Sequence, residues 1–503
     1  MPHLAIHSPL GAAARRRLLG AALAVAFVPA GALAQDTTGA SGTNGADSIP
    51  RHPSGADSAT LASPQYAALA LESYGTPPAA IARLVDAPRH LNVTLDDPSP
   101  DRSRFLAMRS DGLPPATAFA RPWYNLGGVQ IDRQANRARS MTLRNSARIE
   151  LLDWKTGRTT TIEAPSGARV TDASWSPTGR EVAFLAHYPD ATHIYVADAA
   201  TGRSRRLTKT PVLATMVTAL GWTADGKTIA TVLLRDGHGA EPARPAVAPG
   251  PNVRLHFSGT ERNRTYASLL ETPHEMALLE HFITGQLALV DVASGRVRKV
   301  GSPAMFRSVD VSPDGTLLRV TTIQKPFSYT VPVSSFGTLE ELWDVNGRVV
   351  AEVARRPLRE GQGDGPGGGD GDTPADTGRR NLSWSPDGKG LVYLQLAPAP
   401  ARTGRDSAAT DSAAAQGGGR GGSAARRRDR VVQWLPPYDS ASARVLYESD
   451  GRMSAVAFSD DAQVVFVNET QNGIAHSYAV FLNEPGKRHT ITRGRGTGAL
   501  PGR

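Results

Sequence analysis

A short pattern, Trp-Ser-Pro-Asp-Gly, recurs along the chain with apolar, β-rich segments on both sides. Proline presets φ for a tight turn, aspartate can hydrogen-bond its own backbone, and glycine accepts the positive φ at which a chain reverses. Each copy therefore predicts a β-hairpin, and the recurrence indicates a repeat architecture. The copies are Trp175–Gly179, Trp222–Gly226, Val311–Gly315, Trp384–Gly388, a degenerate Phe458–Ala462 and a further candidate at Ser99–Arg102.

A second turn follows in several repeats, so each repeat has two hairpins and forms a four-stranded sheet. These second turns are Asp153–Gly157, Asp198–Gly202, Asp291–Gly295 and the shorter Asp344–Gly347. In one repeat we expect strands at Thr171–Trp175, Glu181–Ala186, His193–Asp198 and Ser204–Leu207. A repeat of about forty residues has the size of a propeller blade.

The sequence thus predicts an all-β fold, a β-propeller of about six four-stranded blades that is either closed or incomplete. The blades are expected to begin near Leu91, Val170, Val217, Phe306, Asn381 and Met453. The main helical candidate, Tyr266–Phe282, is an insertion in the third blade and is interrupted by Pro273.

Two insertions within the propeller are too rich in small and polar residues to form a packed core. Residues 361–378 are mostly Gly, Asp and Pro, and residues 399–429 are mostly Ala, Gly, Ser and Arg. Both are predicted to be disordered loops. The predicted organisation is a leader at 1–34, a flexible lead-in at 35–90, the propeller with its insertions at 91–492, and a disordered tail at 493–503.

The N-terminus has the features of a cleavable signal peptide. Arg15–Arg17 precede an apolar stretch, Leu18–Val28, and Ala32-Leu33-Ala34 forms a small-residue cleavage site. We expect cleavage before Gln35 and a periplasmic or secreted product. Pro29 and Gly31 interrupt the apolar stretch, so no stable membrane span is expected.

Composition narrows the range of partners. The chain has a formal net charge of +9, but three of the arginines lie in the leader and the remaining charge is scattered, so no nucleic-acid partner is expected. A basic run at Arg426–Arg428 and Arg430 is interpreted as a solvated loop. The absence of cysteine excludes disulfides, thiol nucleophiles and Cys-ligated zinc.

No motif for catalysis or cofactor binding is complete in this sequence. His274 and His281 are seven residues apart, which differs from the His-Glu-x-x-His spacing of zinc peptidases. Ala475-His476-Ser477-Tyr478-Ala479 resembles a nucleophile elbow, but alanines replace both glycines, and Ser477 falls within a predicted hairpin. The predicted catalytic, cofactor-binding and metal-binding residues are therefore none, and no cofactor is expected.

Several segments between the turns resemble the propeller half of glutamyl endopeptidases, a branch of the prolyl oligopeptidase family of serine peptidases. The similarity extends from about Leu91 to Val350, and Pro326–Pro332, read as Pro-Phe-Ser-Tyr-Thr-Val-Pro, is its most specific part. The other segments are Gly128–Asp132 with Asn136 and Met141, Pro242–Pro251, Ser268–Leu270 leading to Gln286–Leu289, and Glu341–Trp343 with Gly347–Arg348.

The resemblance implies a propeller that restricts peptide access to an α/β-hydrolase domain, in which a Ser, an Asp and a His cleave after glutamate. The sequence contains no such domain, so the leading hypothesis is the non-catalytic propeller portion of an exported serine peptidase. Its partners would be peptide substrates of a hydrolase domain outside this chain. The alternatives are a freestanding propeller that binds a partner in the cell envelope and a propeller enzyme with its site in the central channel.

Overall fold

The computed structural model describes residues 78–85, 97–109, 114–144, 146–247, 250, 266–359, 378–398, 427–471, 474–484 and 487–493. The predictions for the leader, most of the lead-in, the greater part of both low-complexity insertions and the tail beyond Arg493 fall outside these residues. Among the described helices, none is both long and apolar enough to cross a membrane.

The described strands form six four-stranded antiparallel units in succession, two of them joined in one eight-stranded sheet, in agreement with the predicted number of blades. Blade 1 contains β1 (Asp97–Pro98) and β2 (Arg104–Arg109), and a separate small sheet of β3 (Trp123–Leu126), β4 (Val129–Asp132) and β5 (Arg137–Ala138) interrupts it before β6 (Arg148–Asp153) and β7 (Thr159–Ile162). Blade 2 contains β8 (Arg169–Trp175), β9 (Glu181–His187), β10 (Thr192–Asp198) and β11 (Ser204–Arg206).

Blade 3 contains β12 (Gly221–Trp222), β13 (Thr228–Leu234), β14 (Thr284–Asp291) and β15 (Val297–Lys299), and blade 4 contains β16 (Ala304–Val311), β17 (Leu317–Ile323), β18 (Thr338–Asp344) and β19 (Val349–Arg356). A short pairing of β14 with β16 joins these two blades. Blade 5 contains β20 (Arg380–Trp384), β21 (Leu391–Leu396), β22 (Asp429–Trp434) and β23 (Ala443–Ser449), and blade 6 contains β24 (Arg452–Phe458), β25 (Val464–Gln471), β26 (Ile474–Phe481) and β27 (Arg488–Arg493).

The described helices are α1 (Ala79–Val85), α2 (Ala116–Phe119), α3 (Arg139–Leu143) and α4 (Pro273–Ile283), with a 3-10 turn at Val333–Ser335. Helix α4 begins at Pro273, whereas the sequence predicted a longer helix interrupted there. Proline is favoured in the first turn because its missing N–H would have no helical partner, and the Thr272 side chain caps the helix by accepting from the Glu275 N–H.

The described residues differ from the predicted organisation in four details. The lead-in predicted to be flexible contains α1, whose Ala-rich sequence after Pro78 favours a helix. Strand β22 begins at Asp429, the last residue of the second predicted insertion, because its buried side chain bonds to Arg380. Strand β27 ends at Arg493, the first residue of the predicted tail. The sheet of β3, β4 and β5 was not expected.

The recurring turns have the hydrogen bonds that their sequence predicts. In the fourth blade, Ser312 Oγ donates to Asp314 Oδ1 at 2.5 Å, Thr316 N–H donates to the same carboxylate, and Gly315 has φ of 72°. Asp101, Asp225, Asp387 and Asp461 accept in the same way in their turns, and the glycines of four turns abut the preceding turn. Gly179 lies against Pro100, Gly226 against Thr178, Gly315 against Thr223 and Gly388 against Asp314.

Apolar side chains fill each interface between consecutive blades. Representative pairs of buried residues in these five clusters are Leu151 with Phe184, Leu185 with Ile229, Val232 with Leu318, Leu342 with Tyr393, and Val431 with Val465. None of the apolar clusters formed by the described residues includes both blade 6 and blade 1. These two blades are linked at the turns by an ion pair between Arg102 and Asp460 at 3.2 Å.

Candidate functional site: a cap over one end of the propeller

Three long connections collect at the end of the propeller opposite the recurring turns. In an antiparallel blade, the connection between strands 1 and 2 lies at one end and the connection between strands 2 and 3 lies at the other. The connections between the second and third strands of blades 1, 3 and 4 are all enlarged. We call their described residues, 114–144, 235–247, 266–283 and 324–337, the cap.

The three connections share one apolar core. Leu126 and Ile131 from blade 1 pack with Leu279 and Phe282 of α4 and with Val333 from blade 4, and all five side chains are buried. This core brings together most of the segments on which the family resemblance rests, although they lie about two hundred residues apart in sequence. The cap is therefore a single packed unit.

A tight turn sets the distance between the blade 1 and blade 4 connections. Gly127, between β3 and β4, has φ of 58°, and a Cβ at this position would lie 2.9 Å from Val333 Cγ2. The Val333 N–H donates to the Gly127 carbonyl oxygen at 2.9 Å. Only glycine meets both requirements without displacing the 3-10 turn.

A buried charge network fastens the blade 1 connection to blade 2. Asp132, 1% exposed, accepts from Arg121 at 2.9 Å and from Thr142 at 2.7 Å, while Arg137 lies 3.6 Å away. Arg137 also donates to the Tyr188 carbonyl oxygen at 2.7 Å in the loop between β9 and β10.

Asp132 and Arg137 both carry their charge although their side chains are buried. Burial alone would raise the pKa of Asp132, but the hydrogen bonds from Arg121 and Thr142 outweigh burial and keep it below its ordinary value. Burial lowers the pKa of Arg137 to about 10, and Asp132 opposes that change. Both groups therefore stay charged near neutral pH and act as a fixed anchor for the cap.

Two histidines meet inside the cap. The rings of His238, after β13, and His281, in α4, stack with centroids 4.1 Å apart and planes 24° apart. His238 Nε2 lies 2.9 Å from Asn136 Oδ1 in the turn between β4 and β5. Nearby, Glu241 accepts from Tyr124 at 3.1 Å and pairs with Arg133.

The residues considered in the sequence for catalysis or metal binding do not form such sites. Ser477 lies in the middle of β26, opposite Asn468, and donates to its Oδ1 at 2.8 Å, so it belongs to a hairpin as expected. His281 packs against an imidazole, and no group of three metal-ligating side chains occurs among the described residues. The expectation of no catalytic, cofactor-binding or metal-binding residue remains a prediction.

A cavity of about 270 Å³ lies between blades 5 and 6 at the end that carries the turns. Leu435, Phe458 and Leu482 line it together with Asp387 and Arg444. The arrangement combines apolar walls with charges of both signs, so it could hold a small amphipathic group. Ser385, also in the lining, donates to Asp387 at 2.6 Å as part of the recurring turn.

Sequence reasoning missed the Asp132 network and the histidine stack. Asp132 and Asn136 stood within segments quoted for the family resemblance, but their partners Arg121 and His238 carried no signal, and His281 was considered only with His274 as a metal ligand. These contacts join residues from different connections, so the order of the sequence does not reveal them.

Two curated relatives match the chain in sequence. A "Probable glutamyl endopeptidase, chloroplastic" from Oryza sativa subsp. japonica is 31% identical over 341 residues, covering 64% of this chain and 35% of the relative. The protein of the same description from Arabidopsis thaliana is 27% identical over 333 residues, covering 64% of this chain and 34% of the relative. The chain thus spans about a third of the length of the curated relatives that it matches.

No protein-family model matches the chain. Among solved structures, a prolyl endopeptidase has a TM-score of 0.38 at 12% identity over 81% of this chain and 42% of its own. An oligogalacturonate lyase in complex with manganese has a TM-score of 0.37 at 13% identity over 79% and 76%. These scores are too low to bear on function. From the sequence relationship and the six described blades, the chain is a propeller portion related to the glutamyl endopeptidases of the prolyl oligopeptidase family.

Proposed function

We propose that this chain is the non-catalytic propeller portion of an exported serine peptidase and restricts which peptides reach an α/β-hydrolase domain outside this chain. The observation that carries the proposal is the relationship to glutamyl endopeptidases over 64% of this chain but only about a third of theirs. A steric role needs no reactive residue. It is consistent with Ser477, the serine considered as a nucleophile, whose hydroxyl donates a hydrogen bond to Asn468 within a hairpin.

The packed cap supports a gating role at one end of the propeller. A barrier that sorts peptides by size must keep its shape, and the cap has its own apolar core and a buried charge network that ties it to blade 2. The peptides concerned would be short or unfolded segments containing glutamate, the class on which the related peptidases act by name.

The proposal can be tested by joining the chain to a separately produced hydrolase domain of a glutamyl endopeptidase. We expect the domain alone to cleave a short Glu-containing peptide and an unfolded protein, and the joined protein to retain the first activity while losing most of the second. A matched joined protein carrying Leu279→Ala, which leaves a hole in the cap core, should recover part of the second activity. Equal cleavage of both substrates with and without the propeller would contradict gating.

A freestanding binding module is the second candidate, and one contact favours it. The ion pair between Arg102 and Asp460 joins the first recurring turn to the last. The DNA immediately downstream separates the candidates. A Gly-x-Ser-x-Gly elbow in any reading frame supports the peptidase portion, and an unrelated gene supports the binding module.

The proposed location is the periplasm or the exterior of the cell, because the basic cluster, apolar stretch and small-residue site at the N-terminus suit export. Mass spectrometry of exported protein should find Gln35 as the first residue. Exported material that retains residues before Gln35 would contradict cleavage at that position.

A further inference from the structure

The stacked histidines join segments that are far apart in the chain. Asn136 belongs to the blade 1 connection, while His238 and His281 stand at the two ends of the blade 3 connection. His281 is 8% exposed and also meets Phe282 edge-on with centroids 5.0 Å apart. The stack therefore lies where the two connections meet.

The surroundings of His238 favour a neutral imidazole. Asn136 Oδ1 can only accept, so His238 Nε2 carries the proton in this contact. His238 Nδ1 is buried, and the described part of the chain offers it no hydrogen-bond partner. A proton added at Nδ1 would create a buried donor without an acceptor, which costs free energy.

The charges that face the stack also oppose protonation. The positive charge of Arg235, just after β13, disfavours protonation of both rings. A positive charge on one imidazole would also lie only 4.1 Å from the centre of the other ring and disfavour its protonation. The negative charge of Glu241 favours protonation of His281, but Glu241 is already paired with Arg133 and hydrogen-bonded by Tyr124. On the outer side of α4, Glu280 is paired with Lys325 at 2.8 Å.

We propose that His238 and His281 form an acid-sensitive latch that holds the blade 1 and blade 3 connections together while both rings are neutral and loosens them when a ring is protonated. This function is independent of whether a hydrolase domain accompanies the propeller. It would make the shape of the cap depend on the pH of the compartment that contains the protein.

The pKa values give the direction of the response. Burial, followed by His281 and Arg235, lowers the pKa of His238 from 6.5 to about 4, and burial also lowers the pKa of His281. A histidine whose pKa is depressed in the latched state stabilises that state fully above the ordinary value of 6.5. The stabilisation is lost as the pH falls from 6.5 towards 4, the window in which the latch should open.

Hydrogen exchange measured by mass spectrometry, corrected for the intrinsic effect of pH, tests the latch in the full chain. At pH 5 we expect exchange in cap segments 123–138 and 273–283 to rise about tenfold over its value at neutral pH, with little change in blade 5. The double variant His238→Phe/His281→Phe keeps two aromatic rings in the stack without a titrating group and should abolish the rise. The matched control is His274→Phe on the same helix, which should behave as the wild type.

A second variant works in the opposite direction and retains both histidines. Asn136→Asp places a carboxylate against His238, which favours the protonated ring, so the transition should move to higher pH. The proposal is wrong if the wild-type cap shows no transition between pH 6.5 and 4, or if blade 5 accelerates in parallel. It is also wrong if the transition survives in His238→Phe/His281→Phe or does not move upward in Asn136→Asp.

Discussion

Arg102 and Ala462 occupy the turn position that glycine fills in the other copies of the repeat. Their φ angles are 59° and 55°, in the left-handed region that favours glycine. Arg102 is also joined to Asp460 by the ion pair, whereas Ala462 has a short side chain at the edge of the cavity between blades 5 and 6. The strain at Ala462 is therefore the easier of the two to remove.

Ala462→Gly should raise the free energy of unfolding by about 1 kcal/mol, because glycine adopts positive φ without a steric cost. Denaturant titration of the full chain would measure the change. Ala455→Gly, in the exposed part of β24, serves as the control and should lower stability by about 0.5–1 kcal/mol. A loss of stability in Ala462→Gly would show that the turn is not strained.

Asp132→Asn should be among the more damaging single substitutions in the cap. It leaves the buried Arg137 without its carboxylate, and breaking a buried pair costs about 3–5 kcal/mol. Asp450→Asn removes a carboxylate from an exposed pair with Arg428 and should cost less than about 1 kcal/mol. Equal losses in thermal or denaturant unfolding would contradict the anchoring role of the buried network.

At the scale of elements, the propeller could be predicted and the cap could not. The turns follow from local chemistry, since each Ser, Asp and Gly acts within five residues, and strands Glu181–His187 and Thr192–Asp198 differ from expectation by one residue. Short β4 and β5 lacked a turn signal, and β5 is held by a bridge from Arg137 to Ala214 about eighty residues away. A local pattern cannot reveal such a partner.

In the cap, too, some features could be predicted from the sequence and others could not. The family-like segments Gly128–Asp132 and Pro326–Pro332 pointed to parts of the cap, but their convergence on one core depends on the packing of α4 against both. Ser477 could be assigned to a hairpin from the turn beside it. The meeting of His238 with His281 could not be predicted, because forty-three residues separate them and the stack depends on the path of the connection.

Gly127→Ala tests how the connections of blades 1 and 4 are joined. The added methyl group meets Val333 and also bears the cost of positive φ, so the loss of stability should exceed about 2 kcal/mol. Gly157→Ala has a similar φ of 69° and open space around it, so it should cost only about 1 kcal/mol. Equal costs in denaturant unfolding would mean that the turn does not rest on the 3-10 helix.

At the scale of the whole molecule, the interface between blades 6 and 1 differs from the other five. The described residues place an apolar cluster in each of those five, but join blades 6 and 1 through exposed Arg102 and Asp460. Exposed pairs contribute little and are screened by salt. The isolated chain should therefore self-associate through this weak interface, more strongly at high salt, as measured by light scattering. A compact monomer at all salt concentrations would show that the ring closes by itself.

The central proposal is that this chain acts as the propeller portion of a peptidase and has no peptidase activity of its own, and the most direct test is hydrolysis. The purified chain, incubated with Glu-containing peptides, should release product no faster than buffer alone. The reason is that Ser477, which resembles a nucleophile in sequence, is hydrogen-bonded to Asn468 within a hairpin. Turnover by the chain alone that Ser477→Ala abolishes would contradict the account.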